Sequence, residues 1–217
     1  MFMKDFVHFF REIGKLKRMP RRGWVINGIK NPESIAEHIF RAAVMVWVLG
    51  AQKNLDTNRA VKMLLVHDLC EVYAGDETPY DKFLPKDKKK LPALMRTWPR
   101  PSLKKKAKWA REKEEREWKG LIKLTEHLPA QLKKEMRSLW LDYQKKLTKE
   151  GRFANQVDRM ENLVQALEYW KRYRKPPLLP WWWWAKEFFD DPLLIEFMDT
   201  LDTKFLGDRK KGKKRKK

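Results

Sequence analysis

Lys62-Met63-Leu64-Leu65-Val66-His67-Asp68-Leu69-Cys70-Glu71-Val72-Tyr73 is an apolar run interrupted by an imidazole and a carboxylate standing side by side. Burying either group costs free energy unless it is paired or bound to a cation, so this stretch asks for a metal ion. Adjacent helical residues point about 100° apart. His67 and Asp68 therefore reach one ion only over the groove between them, with other elements closing the shell. Periodicity predicts one helix from near Asp56-Thr57-Asn58 to about Tyr73, with Met63, Leu64, His67 and Glu71 on a shared face. His67 and Glu71 are spaced i,i+4, which sets Glu71 one turn from the ion.

Upstream, Asn31-Pro32-Glu33 predicts a helix start, with a side-chain cap, proline at the first helical position and an acid in the first turn. The helix is expected to reach about Leu49, burying Ile35, Ile39, Ala42, Ala43, Val46 and Leu49, and His38 lies on that stripe. A lone histidine there reads as a satisfied core residue, whereas a second histidine and an aspartate in the next helix shift the reading toward a ligand. Residues 3–17 read as an amphipathic helix with Phe6, Phe9, Phe10, Ile13 and Leu16 inward, ended by Met19-Pro20. Arg21-Arg22-Gly23-Trp24 follows. Either it is a solvated basic turn with Trp24 on the core, or the guanidinium groups grip a phosphate while Trp24 meets a base or sugar.

Downstream, Gly75 ends the helix, and Asp76-Glu77-Thr78-Pro79-Tyr80-Asp81 is an acidic loop whose Asp76 and Asp81 are either turn residues or neighbours of the ion. A helix is expected over 104–124 and another over 130–147. Beyond Gly151, Asp158 shares a face with Asn155, Asn162 and Gln165. It is either a solvated or capped acid, or a further metal ligand oriented by those amides. Lys175-Pro176-Pro177-Leu178-Leu179-Pro180 is a break. Trp181 to Trp184 then open a final helix and read as core plus subunit interface, because four consecutive tryptophans cover every side of a helix. Leu193 to Phe205 is a last short amphipathic segment.

The net charge of +21 is concentrated. Residues 82–119 hold 15 Lys/Arg against 5 Asp/Glu and residues 207–217 hold 8 against 1, leaving +4 for the remaining 168. The first segment, with Pro85, Pro92, Pro99, Pro101, Trp98, Trp109 and Trp118, reads as an insertion. It is a surface for single-stranded nucleic acid, a basic flap over an anionic substrate, or a solvated face with tryptophans docked inward. The tail is too charged to fold and is expected to be disordered, free to make non-specific nucleic-acid contacts. Cys70, the single cysteine, excludes an intrachain disulfide and a cysteine zinc cluster. With no run of 18 apolar residues, no membrane span is expected, and the protein is expected to be cytoplasmic.

His38, then His67-Asp68, then Asp158 on separate helices resembles the H…HD…D pattern of the HD-domain phosphohydrolases. More narrowly, Asn31-Pro32-Glu33-Ser34-Ile35-Ala36-Glu37-His38 with His67-Asp68-x-x-Glu71 and Gly75-Asp76 is similar to the 5′-deoxynucleotidases, including the group called HD domain-containing protein 2. The likeness covers roughly residues 10–170. It implies an all-α HD-domain helical bundle over residues 1–206, with the Pro/Lys/Trp-rich insertion at about 82–119 and the basic tail at 207–217. It also implies one divalent ion on His38, His67, Asp68 and Asp158, with Glu71 acting on the attacking water. Asp76 corresponds to the residue that contacts the sugar, and Trp24 to a tryptophan that disfavours ribose. Gly23 stands where bacterial members carry arginine, so phosphate contact passes to Arg22 or Arg21. The implied partners are a deoxyribonucleoside 5′-monophosphate substrate and a second copy in a homodimer.

Two imidazoles and two carboxylates leave open positions on a six-coordinate ion and favour Mn, Co, Fe, Ni or Zn over magnesium. The alternatives are an HD phosphohydrolase acting on another nucleotide, or a nucleic-acid-binding protein using the HD fold as a scaffold. Retained ligands argue against the scaffold, since unpaired buried charges cost stability. A chain ending at Leu206 is expected to keep its chemistry and lose salt-sensitive oligonucleotide binding, measured by hydrolysis and binding assays at two ionic strengths.

Overall fold

In a computed structural model, residues 3–78, 81–85, 87, 101–174, 182 and 185–206 are described. Every regular element among them is helical, as an all-α fold requires. The order is α1 (Met3–Ile13), a 3-10 turn (Gly14–Arg18), α2 (Arg22–Ile26), α3 (Ile35–Gly50), α4 (Thr57–Val66), α5 (Glu71–Ala74) and a 3-10 turn (Asp81–Phe83). Then come α6 (Leu103–Thr125), α7 (Ala130–Lys145), α8 (Lys149–Tyr173), α9 (Pro192–Leu201) and a wider turn at Asp202–Leu206. The proline-rich half of the insertion, most of the tryptophan run and the tail lie outside the described residues.

The chain divides into two compact units, one of residues 1–39 and 65–140, the other of residues 40–64 and 141–217. In the first, Phe9, Val66, Cys70, Leu121, Leu124, Leu128, Met136 and Trp140 form a buried cluster, and Leu16, Ile35 and Ile39 form a second. Phe10, expected inward, is 61% exposed, and α1 ends at Ile13 rather than running to 17; its buried edge is Phe9 and Glu12, with Phe6 and Ile13 packed beside Phe9. In the second unit, α8 is buried on nearly all sides, through Phe153, Val157, Met160, Leu163 and Leu167 among others. Thr148 caps α8, accepting from the Gly151 N–H at 3.0 Å, and its hydroxyl donates to Asp142 at 2.8 Å. Asp191 and Pro192 start α9 as capping residue and first-turn proline. Trp182 is buried, a core position for that member of the tryptophan run.

Two further helix boundaries differ from the sequence expectation. Helix α3 starts at Ile35 rather than at Pro32, because Ser34 and Glu37 form a capping box. The Glu37 N–H donates to Ser34 Oγ at 3.2 Å and the Ser34 N–H to Glu37 Oε2 at 2.6 Å. The second difference decides the site. The expected single helix over 56–73 is α4 and α5 separated by a turn at His67-Asp68-Leu69-Cys70. Its backbone is pinned by tertiary contacts: the Trp140 indole N–H donates to the His67 carbonyl at 3.1 Å, and α6 presses Gly120 onto the Cys70 carbonyl. A Cβ at position 120 would stand 2.7 Å from that oxygen. Gly120→Ala is therefore expected to force α6 off the turn and destabilise the protein by about 1–3 kcal/mol, read as a lowered thermal midpoint.

Candidate metal centre

His38 enters the first unit from the opening turn of α3, its N–H bonded to the Ser34 carbonyl at 3.1 Å, just past the capping box. His67 and Asp68 come from the turn between α4 and α5. Leaving the regular helix there replaces i→i+4 bonds by tighter ones, such as Leu69 N–H to Val66 O and Glu71 N–H to Asp68 O, both 3.1 Å. That tightening brings the two side chains together. His67 Nε2 lies 3.1 Å from Asp68 Oδ2 and 3.3 Å from His38 Nε2, and His38 Nε2 lies 3.7 Å from Asp68 Oδ2. Both imidazoles are buried, His38 completely. Two ring nitrogens and a carboxylate oxygen, all within 3.7 Å of one another, form a donor set that suits a divalent transition ion.

The surrounding charges are arranged around this point. Arg21 Nη1 holds Asp68 Oδ2 at 2.9 Å and stands 3.8 Å from Asp76 Oδ2. Arg22 donates its backbone N–H to Asp76 at 2.7 Å and its Nε to Asp81 at 2.8 Å. Asp81 also closes its own turn, accepting from Thr78 N–H and Oγ at 2.7 Å each. The acidic loop is thus fastened to the Arg21-Arg22 turn, and both guanidinium groups expected to grip phosphate are engaged by carboxylates. Trp24 is buried and donates its indole N–H to Glu33 at 2.8 Å, the core-packed alternative of its two readings.

Burial pushes the Asp68 carboxyl up, but His67, then Arg21 and His38, outweigh it and hold the group well below the usual carboxylate range. Glu71 moves the other way. Burial raises it, the negative charges of Asp68 and Asp76 raise it further, and Arg21 and Lys113 offset only part. It is 1% exposed, and its Oε2 has no hydrogen-bond partner among the described residues. A buried acceptor left in that state is uncommon and points to a ligand or a reacting proton.

Asp158 lies on α8 in the second unit, buried, with its Oδ2 accepting from the Tyr143 hydroxyl at 2.8 Å. Asn162 donates its amide to the Asp158 carbonyl at 2.9 Å and to Oδ1 at 3.3 Å, the amide support expected from the helix face. Gln165 instead accepts from Arg41, which also binds Glu161 and Glu168. Nothing in the spacing marks Tyr143 as a partner of Asp158, since the two lie on different helices. Glu117 and Lys113 of α6 are also site neighbours that periodicity passes over. The available signal was a carboxylate at 117 on the same stripe as Leu121 and Leu124.

This all-α scaffold with a buried His, His-Asp constellation is that of a metal-dependent phosphohydrolase. Residues 13–178 match the HD domain family, and the chain belongs to it. It is 33% identical to the 5′-deoxynucleotidase HDDC2 of Homo sapiens over 187 residues, covering 86% of this chain and 76% of that protein. Among solved structures, a conserved hypothetical protein from Pyrococcus furiosus superposes with a TM-score of 0.65 at 26% identity, over 90% of this chain and 98% of that one. A predicted metal-dependent phosphohydrolase from Magnetospirillum magnetotacticum does so with a TM-score of 0.56 at 26% identity, over 79% and 78%.

The raised Glu71 carboxyl yields a test on the metal-free protein. Its folded-state affinity for a proton exceeds the unfolded one, so its contribution to stability is complete below about pH 4 and is lost as pH rises through the folded value. Glu71→Gln is therefore expected to stabilise the metal-free protein at pH 7 by on the order of 1–3 kcal/mol, the cost of a buried unpaired group. The gain should vanish near pH 4, as followed by thermal melting across pH.

Proposed function

We propose that this protein is a metal-dependent 5′-deoxynucleotidase, converting deoxyribonucleoside 5′-monophosphates to deoxynucleosides and phosphate. The observation that carries the reading is the convergence of His38 Nε2, His67 Nε2 and Asp68 Oδ2, with Glu71, whose Oε2 has no partner among the described residues, three positions beyond Asp68. The family pattern and the activity named for the human relative agree with it. In this reading His38, His67, Asp68 and Asp158 hold one divalent ion of the Mn, Co, Fe, Ni or Zn group. Asp158 is suited to the fourth position by its burial and by the Tyr143 and Asn162 bonds that orient its carboxylate.

When bound, such an ion lowers the pKa of a water and neutralises charge developing on phosphorus. The rest of the chemistry falls to the chain. Glu71 accepts the water's proton at Oε2 and returns it to the leaving 5′ oxygen, a task suited to a carboxyl whose proton affinity burial and the charges of Asp68 and Asp76 raise. Arg21 keeps Asp68 ionised and aimed. Asp76, fixed by the Arg22 N–H, meets the sugar, and Asp81 holds the loop that carries it. Because Trp24 is buried, it acts on ribose by setting the position of the Arg21-Arg22 turn. The second copy of a homodimer would cover Phe40, Val44, Trp47 and Val48, an exposed apolar stripe on α3. No helix among the described residues is long and apolar enough to cross a membrane.

Metal-loaded protein is expected to hydrolyse deoxyribonucleoside 5′-monophosphates in preference to ribonucleotides. His67→Ala and Asp68→Ala should lose the ion. Glu71→Gln should retain it while turnover falls about 10²–10⁴-fold. Elemental analysis and phosphate release check all three. Equal metal in parent and ligand variants, or no hydrolysis by the loaded parent, would sink the assignment.

A further inference from the structure

Helix α6 begins within the basic segment read as an insertion and runs past its end, and one of its faces reaches the His67–Cys70 turn. Trp109 packs edge-on against Phe83 with ring centroids 5.3 Å apart, Arg116 pairs with Glu77, and Gly120 meets the Cys70 carbonyl. Positions 109, 113, 116, 117 and 120 follow the helical repeat and share that face. Lys113 therefore sits between the point where α6 touches the acidic loop and the point where it touches the His67–Cys70 turn. Its Nζ lies 3.3 Å from Glu117 Oε1, and Glu117 is buried. Burial works against the Lys113 charge, but Glu117 first, then Glu71, Asp68 and Asp76, more than offset it. Three site carboxylates thus lie within electrostatic reach of this ammonium.

An incoming phosphate dianion meets Asp68, Glu71 and Asp76 and needs positive charge beyond that of the ion. Arg21 and Arg22 hold Asp68 and Asp81 at 2.9 and 2.8 Å. The Lys113 ammonium has three N–H donors, its side chain is 38% exposed, and its contact with Glu117 is longer than the ~2.8 Å of a tight charge-assisted bond. We propose that Lys113, positioned by Glu117, is the side chain that receives the substrate's phosphate group. This rests on the phosphohydrolase reading above and adds to it a residue from the insertion.

The test uses the full chain loaded with cobalt(II), with dAMP, inorganic phosphate and deoxyadenosine as probes. Lys113→Met is expected to raise KM for dAMP at least tenfold and to weaken inorganic phosphate binding by a similar factor in calorimetric titration. Inhibition by deoxyadenosine, which lacks the phosphate, should change less than twofold and cobalt content not at all, while Lys113→Arg restores most of the loss. Should Lys113→Met melt early because Glu117 is left unpaired, the double variant Lys113→Met/Glu117→Gln removes that burden and is measured the same way. Unchanged KM and phosphate affinity overturn the proposal, as does an equal loss for deoxyadenosine, which would mark a packing role. If the loaded parent hydrolyses no deoxynucleotide, the functional reading falls, and the phosphate titration of parent against variant still decides the role of Lys113.

Discussion

The carbonyl of His67, released from the helical ladder where α4 stops, accepts the indole N–H of Trp140, and the centre depends on that bond. A carbonyl at a buried helix end must find a donor, and here the donor comes from a helix more than seventy residues away in sequence. With the chain held at that point and pressed by Gly120 one turn later, α4 cannot continue into α5. The resulting turn aims an imidazole and its neighbouring carboxylate at one place, which a regular helix would splay apart.

The contrast between the two units shows what that arrangement costs. In the second unit, three buried acids are held by partners of their own: Glu161 by Arg41, Asp142 by Arg59 and Thr148, and Glu150 by the Asp56 N–H. Such groups explain themselves as structure. In the first unit, Asp68 relies on Arg21 and the imidazoles, and Glu71 keeps an oxygen with no partner among the described residues. Among the described residues, a buried carboxylate oxygen left unsatisfied four positions from His67 costs stability at that position, which structure alone does not repay.

The residues of the first unit that gather around His38 and His67 were legible because they are marked by chemistry: a histidine on an apolar stripe, a His-Asp pair inside an apolar run, acids just past a helix-ending glycine. Gly75 does end α5 with φ of 76°, a conformation that favours glycine. The break at His67 was not legible, since its causes, Trp140 and Gly120, are distant in sequence while the local apolar period runs straight through it. The start of α3 was open to a closer reading, because Ser34-x-x-Glu37 is itself a capping box. Ion pairs were the least accessible layer. Arg21 and Arg22 could be seen as cations near the site, but only folding shows that Asp68 and Asp81 are their partners.

Helix α6 divides its labour by face. Trp109, Lys113, Glu117 and Gly120 point one way, while Lys104, Arg111, Glu115 and Lys119 are exposed on the others. The consequence concerns how such a protein can adapt. Surface charge, which governs solubility and behaviour in salt, can be rewritten along the outward faces of one 23-residue helix, while the inward face stays in register with the His67–Cys70 turn. A substitution there is tolerated, but an insertion of one residue is not: it rotates the inward set by about 100° and turns Lys113 away from the centre.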